Sequence, residues 1–250
     1  MRHLYHQHKE QNAAAAVDPR VRLMAALLLL ALVVSSSSSS FPLQVAGICL
    51  PVAVIAGMKA RLLMLRLLHP LFIAVVILFL KGFLGSGGQQ FEIGSYILTI
   101  NHSGLLEGLL IVSRIMGAVS VVILLGQLMT FTEIMAALGW LRVPRSLVEV
   151  SLFAWRALFM LYDDAGVVYT AQKNRLGYCG IRRALSSFGA MAGMLIIRAF
   201  DSSQAMTVAM AQRGYDGQLP LQDNARLGRY QIAGLSVFAF VMAVAWKIQN

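Results

Sequence analysis

Charge is scarce in this chain. Of its 250 residues 13% are charged and 58% hydrophobic, whereas a soluble domain carries about 25% charged residues. So little charge cannot clothe a soluble surface, and lipid must be the solvent for much of it. Acids are the rarer sign, with 11 Asp and Glu against 21 Lys and Arg, for a net charge of +10. In an apolar chain that excess is the cytoplasmic-loop bias of membrane proteins. Nucleic acid is not called for, because no basic stretch interleaved with aromatics is present. Two cysteines only, Cys49 in an apolar segment and Cys179 in a basic one, exclude a disulfide framework. No His-Glu-x-x-His, Gly-x-Ser-x-Gly or P-loop pattern occurs. The one adjacent acid pair, Asp163-Asp164, would point about 100° apart on a helix and make no catalytic dyad. A membrane enzyme is therefore disfavoured. So is a stand-alone secondary transporter, which would favour internal repeats and mid-membrane polar groups. Both remain alternatives that purification would separate.

What is present is a series of apolar runs. Residues 1–20 form a polar leader with no cleavable signal peptide evident; Asp18-Pro19 reads as a helix start. Residues 21–129 hold four spans. The first two, Val21 to Val34 and Leu43 to Gly57, are short for a span of about 20 residues and read as a hairpin turned by Ser35 to Ser40. A basic amphipathic stretch, Met58 to His69, precedes a third span from Pro70 to Leu84, and Gly104 to Met129 is the fourth. Residues 130–225 alternate apolar residues with charges at helical spacing and are expected to be amphipathic helices. Residues 226–250 carry a fifth span. The fold class expected is an all-α integral membrane protein of about five transmembrane helices plus a cytoplasmic helical block. Lys and Arg collect in the leader, in 58–69 and in the helical block, and are absent from the two other connections. The N-terminus is therefore assigned to the cytoplasm.

Within 130–225, two helices end alike. One runs from about Pro144 to Ala171-Gln-Lys-Asn-Arg175-Leu-Gly177, the other from about Ile181 to Ala209-Met-Ala-Gln-Arg213-Gly214. Each has an arginine in the last turn and a glycine just after. Ordinary capping explains either alone, since a cation suits the negative helix end and glycine the left-handed cap. Two such ends about 38 residues apart also suit docking, because a guanidinium takes a carboxylate in two parallel hydrogen bonds.

The stretch from Arg198 to Pro220, with Ala209-Met-Ala-Gln-Arg-Gly-Tyr-Asp-Gly217 at its centre, resembles the coupling helix of the transmembrane (T) components of energy-coupling-factor transporters. The wording is most similar to the cobalt and nickel branch, the CbiQ family. Asp18-Pro19-Arg20 before the first span and Leu138-Gly-Trp-Leu-Arg-Val-Pro144 fit the same order of parts, so the resemblance covers nearly the whole chain. Family members tend to read Ala-Arg-Gly at both helix ends. Here the triplets are Asn174-Arg175-Leu176 and Gln212-Arg213-Gly214, and the first glycine comes one residue late.

The resemblance implies a non-catalytic subunit of an ATP-driven importer for cobalt or nickel, or alternatively for a vitamin, in a bacterial inner membrane. It would join two ABC-type ATPase subunits, which carry the ATP and magnesium, to a separate substrate-binding membrane subunit. Docking residues would be Arg175, Gly177, Gln212, Arg213 and Gly214, supported by Ala171, Ala211, Tyr215 and Asp216. No cofactor, metal or nucleic acid is expected on this chain itself. Arg114 lies inside the fourth run, where an arginine costs roughly 2.5–3.5 kcal/mol on insertion scales. Glu107, two turns earlier, is either its structural partner or joins it in a contact to the substrate subunit. His3, His6 and His8 are too loosely spaced to read as a metal site. His69 and His102 sit singly at span edges, and Glu92 and Glu107 are too sparse for an ion site. Gly104-x-x-x-Gly108 permits close helix contact.

Overall fold

The computed structural model describes residues 17–84, 89–93, 96–100, 102–216 and 228–249. It is a helical protein: α1 Pro19–Ser35, α2 Ser40–Ile55, α3 Ala60–Leu84, α4 His102–Leu128, α5 Phe131–Trp140, α6 Arg145–Asn174, α7 Ile181–Gln212 and α8 Arg229–Gln249. The connection between α3 and α4, expected only to lack Lys and Arg and to lie outside, carries a small antiparallel hairpin of β1 Gln89–Ile93 and β2 Tyr96–Ile100, with Gln89 opposite Ile100 and Ile93 opposite Tyr96. The chain divides into two compact units, Met1–Ala137 with Ala225–Asn250, and Leu138–Asn224.

In the first unit α4 is the central helix, packed against α1, α2 and α3, while α8 lies against α1 and α2. The core is built from Leu29 and Val33 of α1, Phe41, Val45 and Cys49 of α2, and Val121 of α4. Gly117 makes the closest approach possible: a Cβ there would lie 2.9 Å from the Pro42 carbonyl oxygen and 3.1 Å from Val33 Cγ1. This glycine, which sequence reasoning passed over, lets α4 seat in the α1–α2 hairpin. Gly108 likewise brings α3 close, a Cβ there standing 3.4 Å from Lys81 Cβ and 3.7 Å from Leu78 Cα.

Two arginines fix the antiparallel register of α1 and α4. Arg22 Nη1 donates to the carbonyl of Leu128, the last residue of α4, at 2.7 Å. Arg114 Nε donates to the carbonyl of Ser36, the C-cap of α1, at 2.9 Å, and Nη2 bonds the same oxygen. Each helix thus places a cation on the negative end of the other.

One expectation about spans is corrected. The basic stretch 58–69 and the third span form one 25-residue helix with Pro70 inside it. A spanning helix tolerates proline where neighbours and local adjustment re-satisfy the freed carbonyl. α1 and α2, at 17 and 16 residues, fall short of the other spans. Among the described residues four helices are long and apolar enough to cross a membrane by length and composition: Ala60–Gly82, Gly104–Leu128, Tyr230–Gln249 and also Ile181–Gln212, expected above to be a coupling helix. The helix start at Asp18-Pro19 is as expected, but Asp18 accepts through its backbone carbonyl and makes no side-chain cap.

Candidate functional site

α5 begins with a reciprocal cap between Thr130 and Glu133. The Thr130 amide donates to Glu133 Oε2 at 2.8 Å and the Glu133 amide to Thr130 Oγ1 at 3.4 Å. It ends at Trp140, and Arg142 just past it has φ +65°, with the Val143 amide bonded back to the Leu138 carbonyl at 3.3 Å. The motif at 138–144 is therefore a helix end and a turn, and α6 starts straight after it, with Pro144 as N-cap.

α6 and α7 lie antiparallel. At one end Gln172 Nε2 donates to the Ser187 carbonyl at 3.0 Å and Ser187 Oγ to the Gly177 carbonyl at 2.9 Å. Midway Arg198 Nε stands 2.5 Å from Asp164 Oδ2. At the other end the Tyr215 hydroxyl donates to Glu149 Oε2 at 3.2 Å. α7, with 32 residues, is about 48 Å long at 1.5 Å per residue. Arg175 and Arg213 therefore sit at opposite ends of the pair, on the order of 45 Å apart by the same rise.

Both arginines are C-cap residues, and both caps have the same bonds. After α7 the Gly214 amide donates to the Ala211 carbonyl at 3.1 Å and the Tyr215 amide to the Met210 carbonyl at 3.0 Å, with Gly214 at φ +76°. After α6 the Leu176 amide donates to the Lys173 carbonyl at 3.1 Å and the Gly177 amide to the Gln172 carbonyl at 2.9 Å. These are paired Schellman bonds. The difference is which residue is left-handed. Glycine was expected to supply that conformation at both ends; at the first it is Leu176, at φ +59°. Gly177 meets a separate demand: a Cβ there would lie 2.7 Å from Ser187 Oγ and 2.9 Å from the Gln172 carbonyl oxygen. The late glycine is placed for close approach, and the leucine carries the strain of about 1–2 kcal/mol. Ala171 contributes its carbonyl to the Arg175 amide at 3.3 Å.

Arg175 and Arg213 are exposed. Neither guanidinium bonds another described residue, unlike those of Arg22, Arg114 and Arg198. Gln212, Gly214 and Asp216 are exposed beside Arg213. Tyr215 is exposed too, but its hydroxyl reaches Glu149, a carboxylate only 8% exposed in the first turns of α6. Desolvation first, and then the negative charge of Glu149, raise the Tyr215 hydroxyl above its ordinary pKa, so it stays a donor at neutral pH. Sequence reasoning missed Glu149, Gln172 and Ser187. Glu149 lies 66 residues from its partner, and no local pattern marks it.

The proposed Glu107–Arg114 pairing is not found. Seven residues apart, the two are separated by about 10 Å of helix rise. Glu107 instead receives Lys81 at 3.0 Å, and Arg114 holds Ser36. His3, His6 and His8 lie outside the described residues, as does the side chain of His102; His69 is exposed. Among the described residues no three His, Cys, Asp or Glu side chains gather to hold a metal, and Cys49 and Cys179 are free.

The family model for the cobalt transport protein CbiQ matches residues 10–223. The chain belongs to the CbiQ family. It is 29% identical over 213 residues to a putative fused cobalt transport protein CbiMQ of Methanocorpusculum labreanum, covering 81% of this chain and 35% of that one. It is 30% identical over 130 residues to the cobalt transport protein CbiQ of Salmonella typhimurium, 52% of this chain and 58% of that one. To the energy-coupling factor transporter transmembrane protein EcfT of Staphylococcus aureus it is 27% identical, 81% of this chain and 80% of the relative. The chain spans about a third to three fifths of the first two relatives' length. Together with its apolar helices, the family makes this a multi-pass membrane protein.

Proposed function

We propose that the chain is the coupling subunit of an ATP-driven importer of cobalt or nickel ions, in a bacterial inner membrane with its N-terminus in the cytoplasm. One observation carries the reading: two exposed arginines cap the ends of an antiparallel helix pair in the same backbone geometry, about 45 Å apart by helix rise. Such a spacing suits two copies of one partner, each offering an acidic groove to one guanidinium. The partners are two ABC-type ATPases that bind ATP and magnesium, and a separate membrane subunit that selects the ion.

No residue of α7 is buried within the chain. Arg182, Arg183, Arg198 and Asp201 break its apolar surface, and its ion pair with Asp164 of α6 favours a helix lying along the membrane over one crossing it. ATP binding draws the ATPases together, the tips move with them, and the paired helices pass that displacement to the membrane helices. The chain carries no chemistry of its own. Its composition supports this reading through the basic excess of the helical block, which belongs on the cytoplasmic side.

The test is purification of the complex in mild detergent, with its subunits identified by mass spectrometry. ATP-binding subunits and a second membrane subunit are expected to co-elute, and ATP-dependent cobalt or nickel uptake should need all of them. Uptake by this chain reconstituted alone would overturn the reading.

A further inference from the structure

In the first unit α1, α2 and α4 are level at one end and stepped at the other. At the level side, Arg22 meets the end of α4 at Leu128, and Gln127 Nε2 reaches the Ala56 carbonyl just past α2 at 3.5 Å. At the opposite side α1 ends at Ser36 against Arg114. α8 ends at the same turn, with Gln249 Nε2 donating to Gln44 Oε1 at 2.7 Å and Ser40 Oγ donating to Gln249 Oε1 at 3.4 Å. α4 continues beyond Arg114 to His102, about 15–18 Å farther by helix rise. α3 accompanies it, as the Lys81–Glu107 pair shows.

The α1–α2 hairpin, with 17 and 16 residues, is therefore about 25 Å tall, short of a hydrocarbon core of about 30 Å. Its tip is a run of six serines with a cation beside it. Arg114 spends Nε and Nη2 on one carbonyl oxygen, and no carboxylate among the described residues pairs with it. Glu107, the nearest acid along α4, is engaged by Lys81 about 10 Å higher. A serine turn, an amide pair and an unneutralised guanidinium cannot rest in hydrocarbon. They need headgroups and water at a depth the bilayer normally denies them.

We propose that Arg114 and the serine turn form a phospholipid site. The phosphate of a lipid in the leaflet over the step is drawn down onto the Arg114 guanidinium beside the serine turn, so that the bilayer is thinner beside α1, α2 and α8 than beside α3 and α4. Mismatch between the short hairpin and the tall helix pair supplies the driving force, and the charge-assisted bond fixes the place. This site does not depend on the coupling reading.

Native mass spectrometry of the full chain in mild detergent, titrated with phosphatidylglycerol, tests it. Wild type is expected to retain the lipid. Arg114→Gln keeps a donor for the Ser36 carbonyl but loses the charge, and should bind about tenfold more weakly, while Arg114→Lys should retain the lipid. Equal retention by wild type and Arg114→Gln overturns the proposal. Displacement by inorganic phosphate would show a site for a free anion and also overturn it, as would unchanged lipid binding with loss of a co-purifying membrane subunit. Should Arg114→Gln fail to fold, a nitroxide at Ser38→Cys in the Cys179→Ser background decides in reconstituted vesicles. Collision with a water-soluble relaxant is expected; a hydrocarbon-like response to oxygen alone would contradict the site.

Discussion

Arg175 and Arg213 occupy the same position in two helix ends with the same pair of closing bonds, yet point from opposite ends of one antiparallel pair. A partner that reads one can read the other, and one helix pair forms the body that carries both. Several measurements bear on how that body is held together.

The residue that closes the first cap is strained and the one that closes the second is not. Leu176 adopts φ +59° where Gly214 adopts +76°. Leu176→Gly should therefore stabilise the chain by about 1 kcal/mol, read as a higher melting temperature in detergent. Gly177→Ala should do the opposite by about 1–3 kcal/mol, since its Cβ would press on Ser187 Oγ and the Gln172 carbonyl. Equal effects of the two substitutions would show that the cap geometry is wrong.

Tyr215 and Glu149 tie the second tip to the root of α6 at 3.2 Å. On the proposed coupling role, a pull on Arg213 would reach the start of α6 through this bond. Tyr215→Phe should leave ATPase association intact while lowering the uptake gained per ATP hydrolysed severalfold, because the tip can move without the root. An unchanged ratio of uptake to hydrolysis would remove Tyr215 from the force path.

The same contact has a pH signature. Desolvation of the hydroxyl and the charge of Glu149 raise the Tyr215 pKa in the folded chain. The stabilisation is therefore fully present below the unfolded tyrosine value of about 10, and it is lost as pH rises from there through the folded value. Wild type should lose stability faster than Tyr215→Phe above about pH 10, and the two should run parallel between about pH 7 and 9. Divergence at neutral pH would mean that another group titrates.

Gly117 is where three helices meet. Gly117→Ala places a Cβ 2.9 Å from a backbone oxygen of α2, which cannot swing aside as a side-chain tip would. A loss of roughly 2–3 kcal/mol is expected, whereas Gly126→Ala, with no atom within 4 Å of its Cβ, should be neutral or slightly stabilising. Thermal unfolding of both variants in one detergent makes the comparison.

Much of this was legible in the chain. Apolar runs and their punctuation placed α1, α2, α4, α8 and both long helices to within a few residues, because hydrophobic period and Gly/Pro breaks are local signals. Pro70 misled, since a proline inside a lipid-facing helix is no longer a stop. The β-hairpin of Gln89–Ile93 and Tyr96–Ile100 followed a glycine-rich stretch that was read only as an outside connection without Lys or Arg. At the candidate site, Arg175 and Arg213 were visible as helix-end residues. Their placement at opposite ends depends on tertiary contacts such as Gln172–Ser187 and Glu149–Tyr215, which no local pattern encodes. Arg114 shows the same limit. Its spacing from Glu107 suggested a pair on one helix, but the acceptor was a carbonyl 78 residues away.

The central claim is that each arginine holds one ATPase. Counting ATPase subunits bound to the purified chain by native mass spectrometry, without nucleotide so that the ATPases do not pair through ATP, tests it most directly. Reversing a buried interfacial charge should cost roughly 2–5 kcal/mol of association. The account predicts two ATPases on wild type, one on Arg175→Glu, one on Arg213→Glu and none on the double variant. Two ATPases on the double variant would contradict it.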